Sequence, residues 1–275
     1  MNTDDTTKPW GAFAPAGAAR VLLLLKQWGL ARGSAKKHLG RLWSRMGLGT
    51  PVDIRYAGLK FRVHPFDNTV ENKMLFGSKL RDEQELSQLR RAAAGGGVFL
   101  DVGANIGYYA LMAAHFGAGR VLAFEPNPRV YARLRFNIAA NALEDRVKPL
   151  QMALGAETAT MTLIVTERDM GGSRIGNDGG EAGSTISVEM VPLRQVLQDE
   201  QIERVDALKI DVEGMEDAVL FPFFETSPRS LWPRLLIIEH TSQQSWKRDI
   251  LSWMLDSGYR EIERNRSNAM LELNP

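Results

Sequence analysis

Val98-Phe-Leu-Asp101-Val-Gly103-Ala-Asn105-Ile-Gly107-Tyr-Tyr109 reads as an apolar strand that stops at a carboxylate, turns through two glycines and enters a helix. In an α/β sheet this is where a nucleotide-like ligand meets the main chain, and glycine there allows close approach. The rhythm continues with a helix over 107–117, strand Val121–Glu125, a helix over 128–141 and strand Val147–Met152. It resumes with a helix over 193–199, strand Ala207–Asp211, a helix over 215–221, strand Leu235–Glu239 and a helix over 244–256. Alternation of this kind predicts βαβ units on a parallel sheet. The last two apolar runs, Tyr259–Glu263 and Ala269–Leu273, predict an antiparallel pair at a sheet edge.

One piece breaks the rhythm. Ala159–Thr166 and Thr185–Val191 are strand-like runs separated by a stretch holding Gly171, Gly172, Gly176, Gly179, Gly180 and Gly183. The 171–183 stretch reads as a mobile loop or a lid over a ligand. Upstream, Val52 to Val63 alternates around Ala57-Gly58 as a hairpin does, and Asn68 to Gly77 and Asp82 to Ala94 read as helices capped by Asn68 and Asp82. Residues 1–16 read as a flexible tail. Over residues 18–46, Val21, Leu24, Leu25, Trp28, Leu39, Leu42 and Trp43 recur at helical spacing with basic residues between them, and Gly29 and Gly33 should interrupt the helix. Such a segment either packs its apolar face on the main domain or rests on an anionic membrane surface or a partner. The simplest organisation is one α/β domain over 51–275 with an N-terminal helical extension over 1–50.

Composition bounds the function. Of 275 residues 44% are hydrophobic and 24% charged, which excludes a disordered chain. Lys and Arg number 34 against 33 Asp and Glu, so nothing in the bulk charge calls for a nucleic-acid partner. The positive charge is N-terminal: residues 1–50 carry eight basic side chains against Asp4 and Asp5. With no cysteine, disulfides, thiolate metal sites and a cysteine nucleophile are excluded, which suits a reducing cytoplasm. The longest aliphatic run, Val21–Leu25, is far shorter than the ~20 residues of a membrane span, and it lacks the surroundings of a signal peptide. The expectation is a soluble cytoplasmic protein, at most peripheral to a membrane.

Eighteen residues beyond Gly107 the strand Arg120-Val-Leu-Ala-Phe-Glu125 ends in a carboxylate, placed to accept hydrogen bonds from both hydroxyls of a ribose. Dinucleotide binders need G-x-G-x-x-G so that a pyrophosphate can sit on the helix N-terminus. Here the spacing is Gly103-x-x-x-Gly107 with Asp101 two residues earlier. An acid at that point repels a pyrophosphate but can hold the ammonium of a methionine moiety, so the pattern favours S-adenosylmethionine over NAD.

A second strand, Val205-Asp-Ala-Leu-Lys209-Ile-Asp211-Val-Glu213-Gly214-Met-Glu216, also stops at charged residues before a helix. A third, Leu235-Leu-Ile-Ile-Glu239-His240, brings two more titratable groups to the same rim. Ligands of open α/β sheets sit at the carboxyl ends of strands, so Lys209, Asp211 and Glu213 should lie beside Asp101 and Glu125.

Together these residues resemble the FkbM family of S-adenosylmethionine-dependent methyltransferases. The matching pieces are DVGANIGYY at 101–109, AFEPNP at 123–128, Ala-Leu-Gly at 153–155, KIDVEGMED at 209–217 and IIEH at 237–240, and the resemblance spans roughly residues 70 to 260. It implies a class I methyltransferase fold, a Rossmann-like, seven-stranded, mostly parallel sheet with helices on both faces. It also implies methylation of oxygen, and in some members nitrogen, on sugars or natural-product scaffolds. By that resemblance Asp101, Gly103, Asn105 and Gly107 hold the methionine end of the cofactor and Glu125 the ribose. Asn127 lies near the adenine side, and Ala153 packs on the adenine or is plain core.

A hydroxyl acceptor needs a general base. His240 has the ordinary pKa, about 6.5, best suited to that work, or it caps a strand end. Asp211 and Glu213 are its rivals, and Lys209 could pair with either acid. Asp211, Glu213 and Glu239 could also hold a divalent cation, but no ligand-loop pattern supports one and no metal is assigned. Glu71 and Asn72 either line the pocket or are ordinary first-turn helix residues. The expected activity is O-methylation of a hydroxyl on a small-molecule or glycan acceptor: a saccharide, a glycolipid precursor or a secondary metabolite. N-methylation of an amide or peptide side chain, or a non-catalytic membrane-associated binding module, are the alternatives.

Overall fold

The computed structural model describes residues 6–27, 35–46, 48–77, 82–166, 169–175 and 184–274. In chain order α1 (Gly17–Gln27) and α2 (Ala35–Arg45) precede the hairpin β1 (Val52–Tyr56) and β2 (Leu59–Val63), then α3 (Thr69–Phe76) and α4 (Glu83–Ala93). The first half of the main sheet follows: β3 (Val98–Val102), α5 (Tyr108–His115), β4 (Arg120–Phe124), α6 (Pro128–Ala140) and β5 (Val147–Leu150). Next come β6 (Ala153–Gly155), β7 (Ala159–Thr166), β8 (Asp169–Ile175) and β9 (Ser184–Pro192). The chain closes with α7 (Leu193–Asp199), β10 (Ala207–Ile210), α8 (Glu216–Thr226), β11 (Leu235–Glu239), α9 (Ile250–Asp256), β12 (Tyr259–Arg264) and β13 (Asn268–Leu273).

The main sheet has seven strands in the order β12-β13-β11-β10-β3-β4-β5. Neighbours from β11 through β5 run parallel, while β13 is antiparallel to both β11 and β12. The two final strands therefore pair as the sequence predicts, with β12 at the edge. Alternation along each strand builds two cores, because successive side chains point to opposite faces. Phe99, Val121, Ala123, Ala207 and Ile237 join the layer that holds Leu89 of α4, Leu111 of α5 and Leu134 of α6. Leu100, Leu122, Phe124, Leu208 and Ile238 join the layer that holds Val196 of α7, Phe223 of α8 and Met254 of α9. Strands buried on both faces need a continuous apolar run, and that run is what the sequence displays.

Several expectations shift. The 1–16 tail is docked over part of its length: buried Arg62 donates to the carbonyls of Lys8 and Pro9, and the Asp53 carboxylate accepts from the amides of Gly11 and Phe13. Arg62 and Asp53 form an ion pair of 2.7 Å that water does not reach, so their remaining hydrogen-bond capacity must be met by main chain. The hairpin turns through Ala57 and Gly58 with φ of 50° and 85°, both positive as in a type I′ turn. Asn68 caps α3, its carboxamide oxygen accepting from the amides of Val70 and Glu71. Asp82 makes no side-chain cap to α4; its carboxylate accepts from the Tyr109 hydroxyl instead.

Helix α8 runs on through Pro222, where the sequence suggested a stop. Burial of Val219, Leu220, Phe223 and Phe224 at about 1.5–3 kcal/mol each outweighs the ~3 kcal/mol that an interior proline costs. Helix α9 begins only after its cap Asp249, because residues 241–248 reach back to the start of α8. Part of the supposed 171–183 loop is a strand: β8 pairs antiparallel with β7 in a second sheet ordered β6-β9-β7-β8, and residues 176–183 lie outside the described residues. In the extension, Ala19, Leu22 and Trp43 are buried, the Trp43 indole lying edge-on to Phe76. Gly29 and Gly33 lie outside the described residues.

Candidate active site

The strand order reverses at β3, whose neighbours are β4 and β10, and the carboxyl ends of these strands open into a cavity of about 530 Å³. Crevices at such reversal points are where α/β sheets bind ligands, and this volume lies within the usual range of ligand pockets. Asp101, Gly103, Asn105, Glu125, Ala153, Lys209, Asp211 and Glu213 all line it. Gly107, Asn127 and His240 do not.

The turn after β3 is internally saturated. The amides of Gly103 and Ala104 both donate to the Phe124 carbonyl, that of Asn105 to Glu125 Oε2, that of Ile106 to its neighbour's Oδ1, and that of Gly107 to the Ala104 carbonyl. No amide from 103 to 107 is left for a phosphate. The glycines serve the protein's own packing. Gly103 has φ 80° and a Cβ there would strike the Asp211 carbonyl, while Gly107, at φ 89°, would press on Leu134 and Leu111.

Asp101 is buried. Its Oδ2 accepts from the Ala110 amide at 2.8 Å, whereas Oδ1 has no partner. Burial pushes its carboxyl up to about 6 against the pull of the Lys209 ammonium. Glu125 accepts from the amides of Asn105 and Asn127 with separate oxygens, and burial lifts it to about 7 despite those bonds. Lys209 sits opposite Asp101 in the β10–β3 register, 3.1 Å from Asp211 Oδ2 and over the Tyr109 ring. Glu213 is exposed at the rim with φ 55°, a left-handed conformation that costs a non-glycine residue about 1–2 kcal/mol. Six acids line the cavity (Asp82, Asp101, Glu125, Asp211, Glu213, Glu239) against Lys73, Lys209 and Arg266.

His240 is tied elsewhere: its amide donates to the Ser267 carbonyl and its Nε2 lies 3.2 Å from the Asn265 carbonyl oxygen. Its neighbours Glu239 and Thr241 line the cavity instead, as alternation along a strand end requires. Asn127 caps α6 and donates to the Met170 carbonyl, fastening β8. Glu71 and Asn72 are not lining residues. Glu71 is fully buried, accepts from the His64 amide and pairs with Arg133 at 2.7 Å, and Asn72 donates to the Pro65 carbonyl. Burial lifts Glu71 to about 7 and, with Arg133, lowers His64 to about 3.

Three contributions lie beyond the sequence reading. Gly171 and Gly172 of β8 roof the cavity, and a Cβ at Gly171 would run into the side chains of Asn105 and Asn68. Arg266, Ser267 and Asn268, from the β12–β13 turn, form another wall. Glu216, at the start of α8, is buried behind the 211–214 turn. The acid two residues after Gly214 was a signal for that last one, since a carboxylate in the first turn of a helix can reach back to amides ahead of it.

A seven-stranded sheet with one reversed strand beside its edge, and a cavity at the carboxyl ends of the central strands, defines a class I methyltransferase fold. Residues 101–261 match the Methyltransferase FkbM domain family. The chain belongs to this family and is a methyltransferase. It is 28% identical over 197 residues to methyltransferase sdnD of Sordaria araneosa, an alignment covering 61% of this chain and 75% of that one. It is 30% identical over 168 residues to the 31-O-demethyl-FK506 methyltransferase FkbM of Streptomyces tacrolimicus, 51% of this chain and 63% of that one. It is 29% identical over 143 residues to the hexuronic acid methyltransferase AglP of Haloferax volcanii, 51% of this chain and 56% of that one.

Proposed function

We propose that the chain transfers the methyl group of S-adenosylmethionine to a hydroxyl oxygen of a saccharide, a glycolipid precursor or a secondary metabolite. The observation that carries the cofactor is an acidic cavity beside a turn whose amides are all internally bonded. Such a site suits a ligand bearing ammonium and sulfonium charge, and its turn has no free amide for a pyrophosphate. Asp101 Oδ1, buried and without a partner, would take the ammonium. Each oxygen of Glu125 accepts one amide and keeps a lone pair for a ribose hydroxyl. Ala153 would pack by the adenine, Gly103 and Asn105 shape the turn, and Gly107 and Asn127 act from behind it.

When bound, the cofactor supplies an electrophilic methyl group on a positively charged sulfur. The protein's part is to align the acceptor oxygen and to remove its proton. Asp211 is half neutralised by Lys209, which suits it to orient the hydroxyl, whereas Glu213 at the open rim can take the proton and pass it to solvent. His240 has no part in this step. Oxygen as the methylated atom is supported by the names of two relatives, which carry a 31-O-demethyl compound and a hexuronic acid.

The same reading sets the chain in the cytoplasm, in keeping with its lack of cysteine, and against an anionic membrane surface. Among the described residues no helix is long and apolar enough to cross a membrane. Helices α1 and α2 leave Val21, Leu24, Leu42 and Met46 exposed beside exposed Arg20, Arg41 and Arg45, the composition of a surface-seeking segment.

Calorimetric titration with S-adenosylhomocysteine and with NADH tests the cofactor. Binding of the first alone, weakened by Glu125→Ala, is expected; binding of NADH, or of neither, overturns the reading. Labelled methyl transfer to hydroxylated but not amine acceptors, retained in His240→Ala, tests the chemistry.

A further inference from the structure

We propose that Asp211, Glu216 and Glu239 hold one divalent cation of the hard, oxygen-preferring class, such as Mg²⁺ or Mn²⁺, beside the part of the cavity that Asp211 and Glu239 line. One carboxylate oxygen from each residue lies within 4.8 Å of the other two. Oxygens on opposite sides of an ion with metal–oxygen distances of about 2.0–2.6 Å stand roughly 4 to 5 Å apart, so the cluster already has the span of a coordination sphere. The set contains no histidine or cysteine, which selects hard cations over zinc or copper.

The second observation is Glu239 itself. It lines the cavity, is only 8% exposed, and its Oε2 is buried with no hydrogen-bond partner. Its other oxygen accepts from the amide and the hydroxyl of Thr241, which fixes the carboxylate in place. Buried carboxylate oxygens are rarely left unpaired, and a bound cation satisfies this one.

Glu216 is prepared in the same manner. Oε1 accepts from the amides of Val212 and Gly214, and Oε2 from the Trp246 indole at 2.7 Å. Three donors hold both oxygens of this carboxylate in place, the kind of outer-shell orientation found behind metal ligands. Charge agrees. Three carboxylates meet Lys209, whose ammonium is 3.1 Å from Asp211, leaving a deficit of two that one divalent ion balances. Glu213, named from the sequence as a possible ligand beside Asp211 and Glu239 on carboxylate chemistry alone, stands outside this cluster. The turn through Glu213 and Gly214, both at positive φ, brings Glu216 back to the strand end in its place.

The role of the ion rests on the O-methylation reading. A cation there would bind the acceptor hydroxyl and make its proton more acidic. The proton passes to Glu213, an oxygen–methyl bond forms as the sulfur–methyl bond breaks, and the sulfur leaves as a neutral thioether.

The test is titration of Mn²⁺ alone into the full chain, read by calorimetry and by electron paramagnetic resonance of free Mn²⁺. S-adenosylhomocysteine binding is measured on the same samples. One Mn²⁺ per chain is expected. Glu239→Gln, which preserves volume, and Trp246→Phe, which removes a donor from Glu216, should each weaken it at least about tenfold. Glu225→Gln, an exposed acid outside the cluster, should leave it unchanged. Retained S-adenosylhomocysteine binding and an unaltered melting profile show that a variant is folded. Absence of Mn²⁺ binding, or binding as tight in Glu239→Gln as in the parent, overturns the site. S-adenosylhomocysteine binding without Mn²⁺ binding would sink the cation and keep the cofactor reading, whereas Mn²⁺ binding without S-adenosylhomocysteine binding would keep the cation and sink the cofactor reading.

Discussion

Replacing Asp101 by Asn should stabilise the protein at neutral pH and weaken its hold on the cofactor. The carboxylate is buried with one oxygen bonded to the Ala110 amide and the other unpartnered, and its pKa rises from 3.8 to about 6 on folding. A raised pKa means that the neutral form suits the fold. The stability it confers is complete below the unfolded value and is lost as pH climbs through about 6. At 1.36 kcal/mol per pKa unit the ionised group costs the fold at most about 3 kcal/mol above that pH. Asparagine keeps an oxygen for Ala110 and carries no charge, while Lys209 retains Asp211. Allowing for the lost attraction to Lys209, a gain of about 1–2 kcal/mol is expected at neutral pH, and each kcal/mol should raise Tm by roughly 2–4 °C. The gain should vanish below about pH 4. If Asp101 takes the ammonium as proposed, the same change removes a charge-assisted hydrogen bond worth about 1.5–3 kcal/mol, or roughly 10- to 100-fold in S-adenosylhomocysteine affinity. Urea unfolding across a pH series, paired with calorimetry, measures both. A variant that is less stable at neutral pH, an advantage that grows in acid, or unchanged affinity would refute the reasoning.

Gly171→Ala should cost about 1–3 kcal/mol, because the new methyl meets Asn105 and Asn68, side chains already hydrogen-bonded to each other; chemical denaturation reads the loss. Arg62→Ala leaves Asp53 buried and uncompensated, so unfolding should be easier by about 3–5 kcal/mol, and limited proteolysis should now cut within residues 8–13. Glu213→Gly relieves a positive φ at a gain of at most about 1 kcal/mol; a higher Tm together with a lower kcat is expected, and an unchanged kcat would remove Glu213 from the proton path. Leu24→Glu with Leu42→Glu should abolish co-sedimentation with anionic vesicles while sparing S-adenosylhomocysteine binding, and no vesicle binding by the parent chain would dismiss the membrane contact.

The acids at strand ends were legible because a buried parallel strand must be apolar to its last turn, so Asp101, Glu125, Asp211 and Glu239 stand out where each run stops. The family motifs fall on these ends. His240 was less legible, since the direction in which a residue points after the last strand bond depends on the neighbouring β12–β13 turn, which captures its ring and its amide. Glycine misled at β8. Composition reads six glycines as slack, whereas Gly171 is small because the strand lies directly on two asparagines.

The sequence by itself determined the alternation of strands and helices, the glycine turn after β3 and the carboxylates around it, because hydrophobic period and turn chemistry are local properties. Only the tertiary structure decided the rest. Docking of residues 8–13 depends on a buried Arg62–Asp53 pair that needs main-chain acceptors and donors from far along the chain. Likewise Glu216 replaces Glu213 beside Asp211 and Glu239 because the cluster is assembled in space, by a strand end, a helix start and the indole of Trp246, with no fixed spacing along the chain to announce it.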